Sequence, residues 1–241
     1  SIDFVRKFYH KSYPEAMEYL LGRSGGMLSV MPPARKIPPR FELPPANDNM
    51  RRVFAYLLNR RGIDKNVLYA FVQKKMIYES AQYHNVVFVG FDKDGIPRHA
   101  NKRGTGSSST YKGNAVGSVP EYSFHWSGKR DRLYLFEAPI DMLSFISMNK
   151  DGWRDHSYAA ACSVSDKVLF QCLADNPGIN KVTICFDSDE PGQLAAQRIT
   201  AKLIMQGIDS EILVPVNKDW NEDLLSGERL EVEESCQILH R

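Results

Sequence analysis

The sequence is short of several things, and each shortage excludes a class of protein. It has only four cysteines, Cys162, Cys172, Cys185 and Cys236, and no two of them form a C-x-x-C pair. That excludes a zinc knuckle written in these residues. Three of the four sit in apolar company and read as small core residues with free thiols. The six histidines are scattered without metal-ligand spacing. No apolar run approaches the ~20 residues of a membrane span, and no basic-then-apolar signal segment opens the chain. These absences predict a soluble, cytoplasmic protein with no membrane partner. No internal repeat is present. Hydrophobic residues are 43% and charged residues 25% of the 241. That globular balance excludes a disordered, collagenous or coiled-coil chain. The chain opens Ser1-Ile2-Asp3 without Met and reads as an excised fragment, or one whose start has been removed.

What is present is unevenly distributed. The net charge of +2 hides a basic half, with 21 Lys and Arg against 10 Asp and Glu in residues 1–130, and an acidic half, with 10 against 19 in residues 131–241. Such a split points to separate jobs, a phosphate-binding half beside a metal-binding half.

Punctuation divides the chain further. Two short helices are predicted near 3–9 and 14–22. Ser12 and Glu15 form a capping box for the second, whose apolar face is Ala16, Met17, Tyr19, Leu20 and Leu21. Residues 23–46 hold six of the 13 prolines and read as a linker. Asn47 or Asp48 should cap a helix near 49–60, and Asp64 a second near 64–75. A strand at 85–91, the turn Asp92-Lys-Asp-Gly95 and a return strand at 96–103 form a hairpin. Residues 104–110 read as a flexible Gly/Ser loop. From 132 the pattern alternates: strands at 133–136, 158–162, 181–186 and 211–214, helices near 139–149, 165–174, 190–206, 220–225 and 229–239. Alternation of this kind predicts a parallel sheet with helices on both faces.

Carboxylates stand where such sheets place their sites, at the carboxyl ends of strands. Glu137 closes one strand and Asp141 follows one helical turn later. Asp187 closes another, and Asp189 lies two residues on. Gly192 is expected to let the backbone turn tightly into the next helix. Asp219 and Asp223 follow the fourth strand. Asp189 and Asp219 also stand where helix caps would. Clustered carboxylates stay ionised together only beside a cation, and hard oxygen ligands suit Mg²⁺ or Mn²⁺. In the basic half, Arg51, Arg52, Arg60 and Arg61 share one helix. Arg98, Lys102, Arg103 and Lys112 bracket the Gly/Ser loop, with Tyr83, Phe88, Phe91 and Tyr111 interleaved. Cations beside aromatics suit single-stranded nucleic acid or nucleotide phosphates.

The segments Phe136-Glu-Ala-Pro-Ile-Asp141, Cys185-Phe-Asp-Ser-Asp-Glu-Pro-Gly192 and Lys218-Asp-Trp-Asn221 resemble, in order and context, the motifs of Toprim domains. These are the nucleotidyl-transfer and hydrolysis folds of bacterial primases, topoisomerases and some nucleases. Upstream, Phe54-Ala-Tyr-Leu-Leu-Asn-Arg-Arg-Gly-Ile63 and the strands around Val86–Arg103 resemble the opening of the bacterial primase core. Taken whole, the chain is similar to the primase-like Toprim proteins of plasmids and other mobile elements. The resemblance implies a Toprim domain over 129–241 and a smaller basic α+β subdomain over 47–128. Before them stand the 23–46 linker and, at 1–22, the tail of a zinc ribbon whose Zn²⁺ ligands would precede Ser1. The sequence departs from primases at Ala138, Pro191 and Asn221. Asn221 replaces an Asp and weakens one outer metal position.

On this resemblance Glu137, Asp187 and Asp189 are catalytic and hold Mg²⁺ or Mn²⁺, with Asp141 and Asp219 as further metal ligands. Arg98, Lys102, Arg103, Lys112 and Lys218 bind nucleic acid or nucleotide. Expected partners are single-stranded DNA, nucleoside triphosphates and helicase- or relaxase-type replication proteins. Primase-type nucleotidyl transfer in replication or transfer of DNA is the first reading. A Toprim nuclease and a non-catalytic nucleic-acid binding module are its rivals.

Overall fold

The computed structural model describes residues 2–21, 40–162 and 165–227. The helix expected near 229–239 and most of the proline-rich stretch lie outside these residues. The chain divides into two compact units, Ser1–Pro38 and Pro39–Arg241. In the first, helices α1 (Ile2–Phe8) and α2 (Tyr13–Leu21) follow one another. The glutamate half of the capping box forms: the Ser12 backbone N–H and hydroxyl both donate to Glu15 Oε2 at 2.7 Å. The predicted apolar face of α2 buries only Ala16 within the described residues of this unit, leaving Met17, Tyr19 and Leu20 exposed.

The second unit opens with α3 (Arg51–Phe54), which widens into a π-helical turn over Ala55–Arg60, and continues with α4 (Lys65–Gln73). Asp64 caps α4, accepting from the N–H groups of Asn66 and Val67. The cap of α3 differs from expectation. Neither Asn47 nor Asp48 serves; Glu79, 1% exposed, accepts from the N–H groups of Arg52 and Val53 at 3.0 and 3.2 Å. Its other oxygen binds Asn47 Nδ2 and His84 Nδ1. A buried carboxylate reaching across from a strand replaces the local cap, since helix N–H groups accept any well-placed anion.

Glu79 lies on β1 (Ile77–Glu79), a short strand that the sequence did not reveal. It starts an antiparallel sheet with β2 (Val86–Phe91), β3 (Pro97–Arg103) and β4 (Lys112–Asn114). The Asp92–Gly95 hairpin turn falls where expected: Asp92 Oδ1 accepts from the N–H groups of Asp94 and Ile96. The 104–110 loop is tied down rather than loose. The Arg60 guanidinium donates to the carbonyls of Gly106 and Ser107, and Thr105 Oγ1 to that of His84.

The remaining elements are β5 (His125–Trp126), β6 (Arg132–Phe136), α5 (Pro139–Met148), β7 (Ser157–Ala160), α6 (Lys167–Asp175), β8 (Lys181–Cys185), α7 (Glu190–Met205), β9 (Asp209–Ile212) and α8 (Trp220–Ser226). They form a five-stranded sheet in the order β5-β7-β6-β8-β9. Four strands are parallel, as expected; the edge strand β5, unforeseen, runs antiparallel to β7. Period-two alternation sends Leu133 and Leu135 of β6 into one core with α6 and α7. Phe136 goes to the opposite core, built with α5, α8 and the aromatic residues of the basic half. Helices therefore cover both faces. Helix α5 is buried on nearly all sides, which explains why its sequence is apolar without a clear stripe.

Candidate active site

Parallel strands β6 and β8 are neighbours in register, Phe136 beside Cys185. Their next residues but one or fewer are Glu137 and Asp187, so both carboxylates leave the sheet at one edge. The Asp187 N–H donates to Glu137 Oε1 at 3.3 Å. Glycine at 192 has a different role from the expected tight turn. A Cβ there would lie 2.6 Å from Glu137 Oε1 and 2.7 Å from the Asp187 carbonyl. The start of α7 thus approaches the site more closely than a side chain permits.

The edge opens into a cleft of about 520 Å³. Glu137, Asp141, Asp187 and Asp219 line it together with Arg61, Arg103, Lys112 and Lys218. The two oppositely charged halves therefore meet here. Of the basic candidates, Arg103 and Lys112 lie opposite one another on β3 and β4 and line the cleft with Lys218. Lys102, on the opposite face of β3, lies 5.7 Å from the Tyr111 ring and lines a second groove with Arg52, Tyr83 and Tyr111. Arg98 pairs with Asp92 at 2.7 Å in the hairpin and does not line the cleft. Asp189 is exposed and does not line the cleft; it caps α7, accepting from the Gly192 N–H at 2.9 Å. Asp219 caps α8 through Glu222 N–H and lines the cleft as well. Asp223 is not in the cleft; buried, it accepts from the N–H groups of Val216 and Asn217 and so shapes the loop that carries Lys218.

The carboxylates act on one another. Burial, then the charges of Glu137, Asp219 and Asp189, push the Asp187 carboxyl up to about 7, with Lys218 opposing. Burial raises Glu137 too, and Asp189 adds to it while the Asp187 N–H and Lys112 oppose. Asp141, fully enclosed, is raised well above the carboxylate range by burial and by Asp187, Asp219 and Glu137. Asp187 Oδ1 is buried and has no hydrogen-bond partner. A lone acceptor in a field of negative charge fits a cation. Among the described residues no three carboxylates converge into a ready-made metal site. Glu137 and Asp187, side by side at the strand ends, are the residues that could hold a divalent ion.

Arg61 was a candidate in the sequence only as a member of a basic cluster, and Asn101 was none. Arg61 looked like one of four arginines on a helix face; the π turn swings it into the cleft. Asn101, whose Nδ2 donates to Asn114 Oδ1 at 2.8 Å, sits on the cleft face of β3. The Arg61-Gly62 break was the available signal for the first, and the two-residue step from Asn101 to Arg103 for the second.

Residues 134–224 match the Toprim-like family, and residues 55–130 match a family described as Protein of unknown function (DUF3991). An uncharacterized protein of Bacillus anthracis is 25% identical over 224 residues. The match takes in 82% of this chain, which spans only 62% of that relative's length. The primase fragment of the bacteriophage T7 primase-helicase protein has a TM-score of 0.53 at 20% identity, covering 70% of this chain and 69% of that one. A second T7 structure shows the lagging-strand DNA polymerase interacting with primase domains of two gp4 subunits bound to an RNA/DNA hybrid and dTTP. It has a TM-score of 0.52 at 19% identity, covering 70% of this chain and 84% of that one. The expected Toprim fold is borne out by these matches. No helix among the described residues is long and apolar enough to cross a membrane.

Proposed function

We propose that this chain, which carries a Toprim-like domain in a primase-type α/β fold, performs metal-dependent nucleotidyl transfer on nucleic acid. One observation carries the reading. Four carboxylates and four cations from the two charged halves line a single cleft of about 520 Å³. That volume lies in the range of small-ligand sites and accommodates a nucleoside triphosphate. The T7 complex in which such primase domains occur together with a DNA polymerase, an RNA/DNA hybrid and dTTP supports the same ligand classes here. The relative from a Bacillus anthracis plasmid is consistent with a role in replication or transfer of DNA.

Bound Mg²⁺ or Mn²⁺ would supply activation of the attacking 3′-hydroxyl and charge neutralisation on the leaving pyrophosphate. Glu137 and Asp187 would hold it at the strand ends, with Asp219 and Asp141 inside the cleft and Asp189 just outside. The protein's own groups do the rest. With its carboxyl raised to about 7, Asp187 is partly protonated at neutral pH in the unloaded cleft. Beside a cation held there its ionised form would be favoured, the proton going to solvent in the open cleft. Arg103 and Lys112 take phosphates of template or nucleotide, and Lys218 a triphosphate oxygen.

Primer synthesis by the whole chain on single-stranded DNA with NTPs and Mn²⁺ is the test. Wild type should yield oligonucleotide and Asp187→Asn none; equal product from both would sink the proposal. A second reading, phosphodiester cleavage, is favoured by the raised proton affinity of Glu137, which suits a general acid. Metal-dependent nicking without NTPs, lost in Glu137→Gln, would establish that reading instead.

A further inference from the structure

Asn221 stands in the first turn of α8 and is 2% exposed. Its Oδ1 accepts from Arg61 Nη1 at 2.9 Å. Its Nδ2 donates to the Arg61 carbonyl at 2.8 Å and to Ser144 Oγ at 3.0 Å. Ser144 Oγ spends its own hydrogen on the Ile140 carbonyl at 2.8 Å, so toward Asn221 it can only accept. A peptide carbonyl only accepts as well. Both partners of Nδ2 therefore demand a donor, and the amide has one possible orientation. A carboxylate at 221 would set oxygen against oxygen twice.

Arg61 is fastened from its other side. Its Nε donates to Tyr56 Oη at 3.0 Å, and the guanidinium lies 5.2 Å from the centre of the Tyr56 ring. Every one of these partners is neutral. Among the described residues no carboxylate forms an ion pair with Arg61. The guanidinium nonetheless lines the cleft. The buried Asp141 carboxyl feels the charge of Arg61 but makes no direct pair with it, so the fork of the guanidinium stays available for phosphate oxygens.

We propose that Asn221 is a positioning residue that aims the Arg61 guanidinium, which no carboxylate pairs directly, at the phosphates of a nucleoside triphosphate in the cleft. It does so at the position where the resemblance to primases leads one to expect a carboxylate. An acid at 221 would neutralise Arg61 and offer another seat for a metal ion. The amide exchanges that seat for a direct phosphate contact. The consequence is a cleft that retains part of its triphosphate affinity when no divalent ion is present. This inference rests on the reading of the cleft as a triphosphate site.

The experiment titrates the 241-residue chain with a fluorescent, non-hydrolysable NTP analogue, in EDTA and again in Mg²⁺. Wild type should bind in EDTA. Asn221→Asp should lower that metal-free affinity roughly ten-fold or more, as expected for a lost charge-assisted hydrogen bond. It should lose less in Mg²⁺. Arg61→Gln should show the same loss, and the double variant should be no worse than either single one. A merely structural Asn221 would give additive losses instead, and that result would overturn the proposal. Should Asn221→Asp not fold, Arg61→Gln carries the test alone, and unchanged metal-free binding by it is equally fatal. Absence of analogue binding by wild type, with or without Mg²⁺, brings down the reading of the cleft and this inference together. Wild-type binding that neither substitution weakens overturns only the inference.

Discussion

The two sheets supply the cleft by opposite means. The five-stranded sheet offers the ends of its strands: Glu137 and Asp187 stand just past β6 and β8, whatever face each strand turns to the core. The four-stranded sheet offers a face, so that Arg103 reaches the cleft while its neighbour Lys102 points to the opposite side. An end is defined by where the apolar run stops. A face is defined by register, and a slip of one residue inverts it. Function built on strand ends is therefore robust to alignment of the sheet, and function built on a face depends on every pairing beneath it.

The largest effect should come from the ends. Asp187→Asn removes the carboxylate whose Oδ1 has no protein partner, and primer synthesis should fall by ~10³-fold or more, as for other losses of transition-state charge stabilisation. A gel-based time course measures it. A fall of less than ten-fold would shift the chemistry away from the strand ends.

The face should fail through its support. Glu79 is 1% exposed and holds α3, Asn47 and His84 to β1. Glu79→Ala should destabilise the protein by about 3 kcal/mol, the usual cost of breaking a buried charged network. Urea unfolding followed by circular dichroism reads the change. A midpoint within error of wild type would show that the local polar residues Asn47 and Asn49 suffice as caps.

Acid should attack the same sheet. His99 on β3 is fully buried, neither ring nitrogen has a partner, and burial pushes its imidazole down to about 4 from 6.5. The folded state thus refuses a proton that the unfolded chain accepts. Stability is complete above pH 6.5 and declines as pH falls toward 4. The loss reaches about 2–3 kcal/mol near the lower limit, at 1.36 kcal/mol per unit. The difference in thermal midpoint between wild type and His99→Leu, followed from pH 7.5 to 4.5, isolates this share. A constant difference would refute it.

The smallest effect separates the faces of β3. Arg103→Ala with Lys112→Ala should weaken single-strand binding about ten-fold and flatten its salt dependence by roughly one to two units of log–log slope. Arg98→Ala should leave the slope nearly unchanged, because Arg98 is engaged with Asp92. Fluorescence anisotropy across a salt series compares them. Equal slopes for the two variants would mean that β3 does not sort its cations by face.

The same contrast explains what the sequence disclosed. Glu137 and Asp187 were visible because each closes an apolar strand, and a boundary needs no partner to be seen. The order of strands and helices from 132 onward was visible for the same reason. Asp219, seven residues past the polar strand β9, stood out as a helix cap instead. Among Arg98, Lys102, Arg103 and Lys112 the sequence favours Arg103 and Lys112 only because they flank the Gly/Ser loop; the face that each cation takes depends on pairings with β2 and β4, which the sequence does not display. Strands β1 and β5, of three and two residues, are too short for a period to show. The cap from Glu79 spans 27 residues to Arg52, and no local rule reaches that far. Asp189 was read as a ligand from its two-residue spacing with Asp187. Asp189 is still extended but stands at the N-cap of α7, and it spends one oxygen on the helix start.

The π turn at Ala55–Arg60 carries a further consequence for how this segment tolerates change. Its backbone bonds reach five residues, as in Arg61 N–H to the Tyr56 carbonyl at 3.0 Å, where an ordinary helix reaches four. The turn behaves as a helix with one residue inserted, absorbed locally so that the residues on either side keep their phase about the axis. Deleting a single residue between 55 and 60 would let the backbone relax to regular winding with Arg61 kept near its present bearing. One more residue, with the wide turn already taken up, would rotate everything beyond it by ~100° about the axis. Arg61 would then leave the cleft with every side chain that it touches still encoded, and a gained codon rather than a lost one is the lesion to which this segment is most exposed.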